Sequence, residues 1–239
     1  MGVVRAGAVR VDFRRLARLV APGLVAVAAF GCQSGASVTV DISVPRPLVQ
    51  PLDVDMGVYF DETLKNYVHE EELEDYGDYR IDIGASQVPV FAQVFDAMFD
   101  RVIPVIQEPA VEDPTTPVAS AAVSFRPVDG PRVPVDGILA PSIDEVQFAI
   151  PDQTGGEFYE VWIRYNLKLL GADGALLGEW PVIGYGKANQ RNYGAIDQKE
   201  IALNEATIWA LRDAAAWLSF QFPDQAEVQT WLTTLDDMP

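Results

Sequence analysis

Apolar and polar side chains alternate most regularly near the middle of the chain. From Phe158 to Leu170, Tyr159, Val161, Ile163, Tyr165, Leu167 and Leu169 fall on one side, with Phe158, Glu160, Trp162, Arg164, Asn166 and Lys168 on the other. A period of two marks a strand with one buried face. Leu139 to Ile150 alternates likewise in its second half, where Val146, Phe148 and Ile150 oppose Glu145 and Gln147. Gly171-Ala172-Asp173-Gly174 then predicts a hairpin turn. Pairing Gly171 with Gly174 sets Leu169 against Leu176, Leu167 against Gly178, Tyr165 against Trp180, Ile163 against Val182, Val161 against Gly184 and Tyr159 against Gly186. Large side chains then sit beside glycines on a face that helices can approach closely, so this face is the expected core.

Helical spacing takes over on either side. Val90, Phe91, Val94, Phe95, Met98 and Val102 predict a core helix with Ser86 as N-cap, Pro89 in its first turn and an end before Pro104. Asp197-Gln198-Lys199-Glu200 reads as a capping box ahead of a stripe through Ile201, Glu205, Ile208, Leu211, Ala215, Leu218 and Phe222. Asp224 is placed to cap a last helix with Val228, Trp231, Leu232 and Leu235 on one side. Met56 to Phe60 and Val102 to Gln107 read as short strands. Leu64 to Val68 and Tyr79 to Ile83 read as a hairpin with an acidic tip at Glu70, Glu71, Glu72, Glu74 and Asp75. Six prolines between Glu108 and Asp136 read as a long loop with a short strand near Val118 to Phe125. The order of elements predicts an α+β fold, a two-layer sandwich whose mainly antiparallel sheet carries helices on one face.

The first 31 residues follow a different pattern. Five arginines (Arg5, Arg10, Arg14, Arg15, Arg18) and one acid, Asp12, precede an apolar run from Leu19 to Phe30. That run is too short for a hydrocarbon core, which needs about 20 helical residues, and Pro22-Gly23 interrupts it. It leads through Ala29-Phe30-Gly31 into Cys32, the one cysteine of the chain. The segment resembles a bacterial lipoprotein signal, although Ala29 and Phe30 depart from its commonest residues. The resemblance implies cleavage between Gly31 and Cys32, a diacylated Cys32 thiol and usually an acylated new amino terminus. An ordinary secretory signal with a chance cysteine is the alternative. Gln33 after the cysteine implies the outer membrane, facing the periplasm, under the sorting rule of enterobacteria. The expected division is therefore signal peptide 1–31, flexible tether 32–53 with Pro45, Pro47 and Pro51, and a single domain 54–239.

Charge narrows the range of partners. Removing five arginines and one acid with the signal takes the formal charge from −18 to −22. Such a surface repels phosphate backbones, so no nucleic acid is expected as partner. One cysteine and one histidine, His69, leave no zinc or iron–sulfur site and no internal disulfide within one chain. His69-Glu70-Glu71-Glu72-Leu73 starts like a zincin helix but places Leu73 where the second histidine is needed. Gly184-Tyr185-Gly186-Lys187 lacks the spacing of a phosphate loop and continues a strand alternation. No nucleophile, metal or cofactor site is expected, an oxygen-only calcium or magnesium site on so acidic a surface being the alternative. Paired carboxylates acting on peptidoglycan or glycosides, as in a periplasmic hydrolase, are the alternative reading, but so many acids form close pairs by chance. The polar side of the central hairpin instead gathers Phe158, Trp162, Ile183 and Tyr185 as candidates for binding a partner, unless residues 108–136 or the last helix cover them.

Asp136-Gly137-Ile138-Leu139-Ala140, the Glu160-Val161-Trp162-Ile163-Arg164-Tyr165 strand, the Asp173-Gly174 turn and the Ala-rich helix around Ala210-Leu211-Arg212-Asp213-Ala214 carry a wider likeness. Over roughly residues 54–222 the chain resembles small proteobacterial envelope lipoproteins of the YajG-like and ABC-transport-auxiliary kind. That resemblance implies a non-enzymatic, lipid-anchored accessory in envelope transport or assembly, held to the membrane by its lipid and binding a protein or lipid partner.

Overall fold

The structure, a computed structural model, describes residues 35–108, 124–194 and 197–237. It is an α+β sandwich. The larger sheet has six strands: β2 (Leu52–Val58), β5 (Phe99–Gln107), β6 (Phe125–Pro127), β7 (Gly137–Ala149), β8 (Phe158–Gly171) and β9 (Leu176–Asn189), in the order β6-β5-β2-β7-β8-β9. Its long strands β7, β8 and β9 are antiparallel, while β2 runs parallel to both β5 and β7. A second sheet, in the order β1-β4-β3, joins β1 (Ala36–Thr39), β3 (Val68–Leu73) and β4 (Gly77–Asp82). Helices α2 (Gly84–Met98) and α4 (Gln198–Gln221) pack together, and α4 lies along β8 and β9. The short helices α1 (Glu62–Lys65) and α3 (Pro151–Thr154) fill connections, and α5 (Ala226–Asp236) closes the described chain.

The core face of β8 has the predicted composition: Tyr159, Val161, Ile163, Tyr165, Leu167 and Leu169 are each at most 1% exposed. Its register with β9 differs from the expected one by two residues, for Leu169 lies opposite Gly178, Tyr165 opposite Val182, Ile163 opposite Gly184 and Val161 opposite Gly186. One residue of the shift comes from the turn, which Gly171 closes by donating to the Ala175 carbonyl at 2.8 Å. The other comes from an irregularity between Leu169 and Leu170. A shift of two preserves side-chain parity, so every residue keeps its face. Large residues still meet glycines, and the glycines serve helix approach. A Cβ on Gly184 would collide with the Ala210 carbonyl, and one on Gly186 with the Ala206 carbonyl.

That close approach also widens the helix stripe, of which Ile208, Leu211, Ala215, Leu218 and Phe222 are buried as expected. α4 buries Ala202, Ala206, Ala210 and Ala214, a row at intervals of four, while Ile201 is 40% exposed. Small side chains that let the helix backbone reach the glycines outweigh the area a larger residue would bury. The capping box does not form, since Asp197 has φ +55° and makes no side-chain cap bond. Asp224 does not cap α5, whose N-cap is Gln225. Ser86 is likewise no cap: α2 begins at Gly84, and the Ser86 hydroxyl donates to the Val40 carbonyl. α2 ends at Met98, and Val102 belongs to β5.

Two further expectations fail. Of the expected acidic hairpin tip only Glu74 and Asp75 stand at the β3–β4 turn, while Glu70, Glu71 and Glu72 lie within strand β3, because Leu64 and Lys65 belong to α1 and the strand starts only at Val68. The supposed tether is partly structural. Ala36, Val38, Val40 and Val44 are at most 6% exposed, β1 pairs in parallel with β4, Gln93 donates to the Val44 carbonyl at 2.7 Å, and Arg212 donates to the Ser43 carbonyl at 3.3 Å. Alternating small and β-branched residues bind this segment, and the prolines that suggested a tether lie beyond it. The strand expected near 118–125 falls mostly outside the described residues, with β6 beginning at Phe125.

Candidate functional site

The face of β8 and β9 turned away from the helices carries all four predicted side chains, with Phe158 set apart from the other three by the Glu160–Lys187 pair. Its composition follows from the strand period: each residue between two core positions must project outward. Ile183 is 53% exposed, Phe158 38% and Tyr185 36%, with Trp162 half-buried. The altered register places Trp162 opposite Tyr185, not Ile183, and their rings stand 5.1 Å apart at an interplanar angle of 33°. Phe158 lies opposite Asn189, and the Lys187 ammonium reaches diagonally over its ring at 5.0 Å. α5 does not cover the patch, since its buried residues Val228 and Trp231 turn into the core, where Trp231 donates to the Asp136 carbonyl at 3.3 Å.

A polar rim surrounds the aromatic pair. Beside Trp162 and Ile183 a shallow depression of about 240 Å³ is lined by Glu145, Gln147 and Arg164. Arg164 pairs with Glu145 at 2.7 Å, and Gln147 donates to the other oxygen of the same carboxylate at 2.5 Å. Arg164 also approaches Asp144 at 3.8 Å, at the point where the β7–β8 register shifts between Ile143 and Glu145. Partial burial, reinforced by the neighbouring Glu160 carboxylate, pushes the Tyr185 hydroxyl above its ordinary pKa. Glu179, farther along the face, is held below the usual carboxylate range by a hydrogen bond from Asn166 and by Lys168. Glu145, Gln147 and Arg164 were not singled out from sequence. Their outward parity was readable there, but the local shift that draws Asp144 and Glu145 around Arg164 was not.

β9 is also the edge of the larger sheet, and two features limit strand pairing there. The Tyr185 amide, directed away from β8, donates to Asp213 of α4 at 3.0 Å, and Pro181 has no amide hydrogen. A shallow groove between this edge and α4 is lined by Tyr185, Lys187, Trp209, Arg212 and Asp213, with the Arg212 guanidinium 5.1 Å from the Trp209 ring.

The remaining sequence candidates are scattered. His69 lies on β3, not on a helix, bonded to Glu71 at 3.2 Å and edge-on to Phe148. Gly184 to Lys187 form part of β9. Gly31 and Cys32 lie outside the described residues. Among the described residues no cluster of three or more His, Cys, Asp or Glu side chains is arranged to hold a metal ion, and no helix is long and apolar enough to cross a membrane.

Comparison with known proteins adds little to this geometry. No family model matches the chain, and no curated relative matches it. Among solved structures, it is similar to a Caulobacter crescentus CB15 protein described as a "putative lipoprotein", with 18% identity and a TM-score of 0.32 over 45% of this chain and 73% of that one. A likeness that slight defines neither the fold nor the role.

Proposed function

We propose that the protein is a lipid-anchored cell-envelope protein without catalytic activity, an accessory in envelope transport or assembly that binds a protein or lipid partner through the open face of β8 and β9. The observation that carries the anchor is the order of the N-terminal segment: arginines, a short apolar run, then Gly31-Cys32. Two or three acyl chains hold a protein stably, since each buried methylene contributes roughly 0.8 kcal/mol. Supporting the partner site are four apolar or aromatic side chains, partly exposed together and framed by ion pairs, the arrangement of a binding surface with a dry centre and a polar rim.

Mass spectrometry of the mature protein tests the anchor. The expected N-terminal residue is Cys32 carrying two or three acyl chains, and Cys32→Ser should leave the membrane fraction. A mature chain starting elsewhere overturns the proposal. Crosslinking of the native lipoprotein followed by co-purification tests the accessory role, and the captured partner names the pathway. Turnover of peptidoglycan or a glycoside that disappears on substituting a single Asp or Glu would favour the hydrolase reading instead.

A further inference from the structure

The docked start of the chain has a geometric consequence for an anchored protein. Gly35 lies flush against β4, where an added Cβ would collide with the Asp78 carbonyl, and the next residue, Ala36, pairs with Tyr79. Three residue steps separate Cys32 from Gly35. Whatever their conformation, they span at most about 11 Å. The polar layer of one leaflet takes up roughly 5–8 Å of that reach. A lipid on Cys32 therefore leaves only a few ångströms between the headgroups and the end of the sheet where β1 begins.

We infer, on the reading that Cys32 carries the lipid, that the protein does not swing on a tether but docks one defined end on a layer of lipid headgroups. Because β1 and β4 are parallel and β3 runs back alongside β4, that end holds the β3–β4 turn, with Glu74, Asp75 and Tyr76, together with Asp78. Tyr76 donates to the Asp152 carbonyl at 3.3 Å, which brings α3 to the same end. Glu74, Asp75, Asp78 and Asp152 are exposed there, and Lys199 stands 3.7 Å from Asp152. This acidic rim complements the ammonium groups of zwitterionic headgroups such as phosphatidylethanolamine, and half-buried Tyr76 has the amphipathic ring that suits a membrane–water boundary. Glu62, on α1, marks the opposite end of the small sheet, beyond the Val68–Asp82 pair and about 20 Å away by strand rise.

The test uses the full, acylated protein in phosphatidylcholine–phosphatidylethanolamine vesicles. A fluorophore is placed on Glu74→Cys or, separately, on Glu62→Cys, the thiol of Cys32 being consumed by its lipid. With nitroxide-labelled headgroups, quenching should be severalfold stronger at position 74 than at position 62. Inserting about ten Gly and Ser residues after Gln33 lengthens the reach by roughly 17 Å and should remove most of the difference. Protein that floats with the vesicles but is quenched equally at both positions, or more at 62, overturns the docked orientation and leaves the anchor standing. Protein that fails to float overturns the lipidation of Cys32 and the orientation with it.

Discussion

The two faces of the β8–β9 hairpin are built from the same strands and obey different rules. On the inner face Tyr159, Val161, Ile163, Tyr165, Leu167 and Leu169 of β8 are buried, and β9 contributes Gly184 and Gly186 so that α4 can reach the sheet. On the outer face Trp162 packs beside Tyr185 with Ile183 diagonal to it, and Phe158 lies under Lys187 one charged pair farther along, with no described element across them. The inner face is specified by shape, because a single added methyl group meets helix backbone. The outer face is specified by composition, and substitutions there are expected to leave the fold in place. That difference separates residues kept for stability from residues available for binding.

The largest effect is expected from the inner face. Gly186→Val would drive a branched side chain into the Ala206 carbonyl and the Ala210 amide, rigid helix backbone that cannot move aside as a side chain would. Overpacking typically costs about 1–3 kcal/mol, and a branched side chain against helix backbone belongs at the upper end, about 3 kcal/mol. Chemical denaturation should show at least that loss, or no folded protein. A near-native midpoint would mean that α4 does not lie on β9 as described.

Next is Tyr165, whose hydroxyl donates to Gln87 Oε1 at 2.9 Å, while the Gln87 amide donates to the Leu64 carbonyl. Tyr165→Phe strands a buried acceptor and should cost about 1–3 kcal/mol at neutral pH. It also carries a pH signature. Burial first, and the nearby Tyr67 second, push the Tyr165 hydroxyl far above its ordinary pKa. The unfolded chain releases that proton near pH 10 and the folded chain does not. The stabilisation is therefore complete below about pH 10 and is lost as pH rises above it. Urea midpoints measured between pH 8 and 11 should fall less steeply for Tyr165→Phe than for the parent. Identical slopes would place the alkaline sensitivity in other groups.

The same contrast explains what could be read from sequence. Parity was legible because a period of two survives any even shift, so the correct core emerged from a register that was wrong by two residues. The register was not legible, since it depends on the Gly171–Ala175 closure and an irregularity beyond it. The stripe from Ile208 to Phe222 was legible, but the alanine row of α4 against β9 was hidden because alanine carries little hydrophobic signal, although the glycines opposite supplied the geometric reason for it. β1 was missed for a similar reason, as Ala36, Val38 and Val40 are too short an alternation to stand out beside a proline-rich stretch. The aromatic patch was visible residue by residue. Its rim was not, because Glu145, Gln147 and Arg164 acquire meaning only when β7 is set beside β8.

On the outer face, Trp162→Ala distinguishes binding from burial. A fully buried tryptophan replaced by alanine costs about 3–5 kcal/mol, but Trp162 is half-buried, so the expected loss is about 1–2 kcal/mol. Recovery of the crosslinked partner should fall much further, since truncating an aromatic anchor typically costs roughly 2 kcal/mol of binding, about thirtyfold. A drop in melting temperature as large as that of a core substitution would make Trp162 structural and remove it from the site.

Ile183→Thr should have the smallest effect on stability. The residue is more than half exposed, threonine keeps the β-branching that suits a strand, and its neighbours on the chain, Val182 and Gly184, carry the inner face unaltered. Surface substitutions of this kind stay within about 0.5 kcal/mol. Binding is expected to respond differently, because Ile183 and Trp162 line the same depression and the change replaces an ethyl group there with a hydroxyl. Melting curves that superimpose on the parent, together with weaker partner recovery, would show that the outer face can lose function without losing structure. Unchanged recovery would confine the contact to the Trp162–Tyr185 pair, and a clear loss of stability would mean that Ile183 is covered in the intact protein.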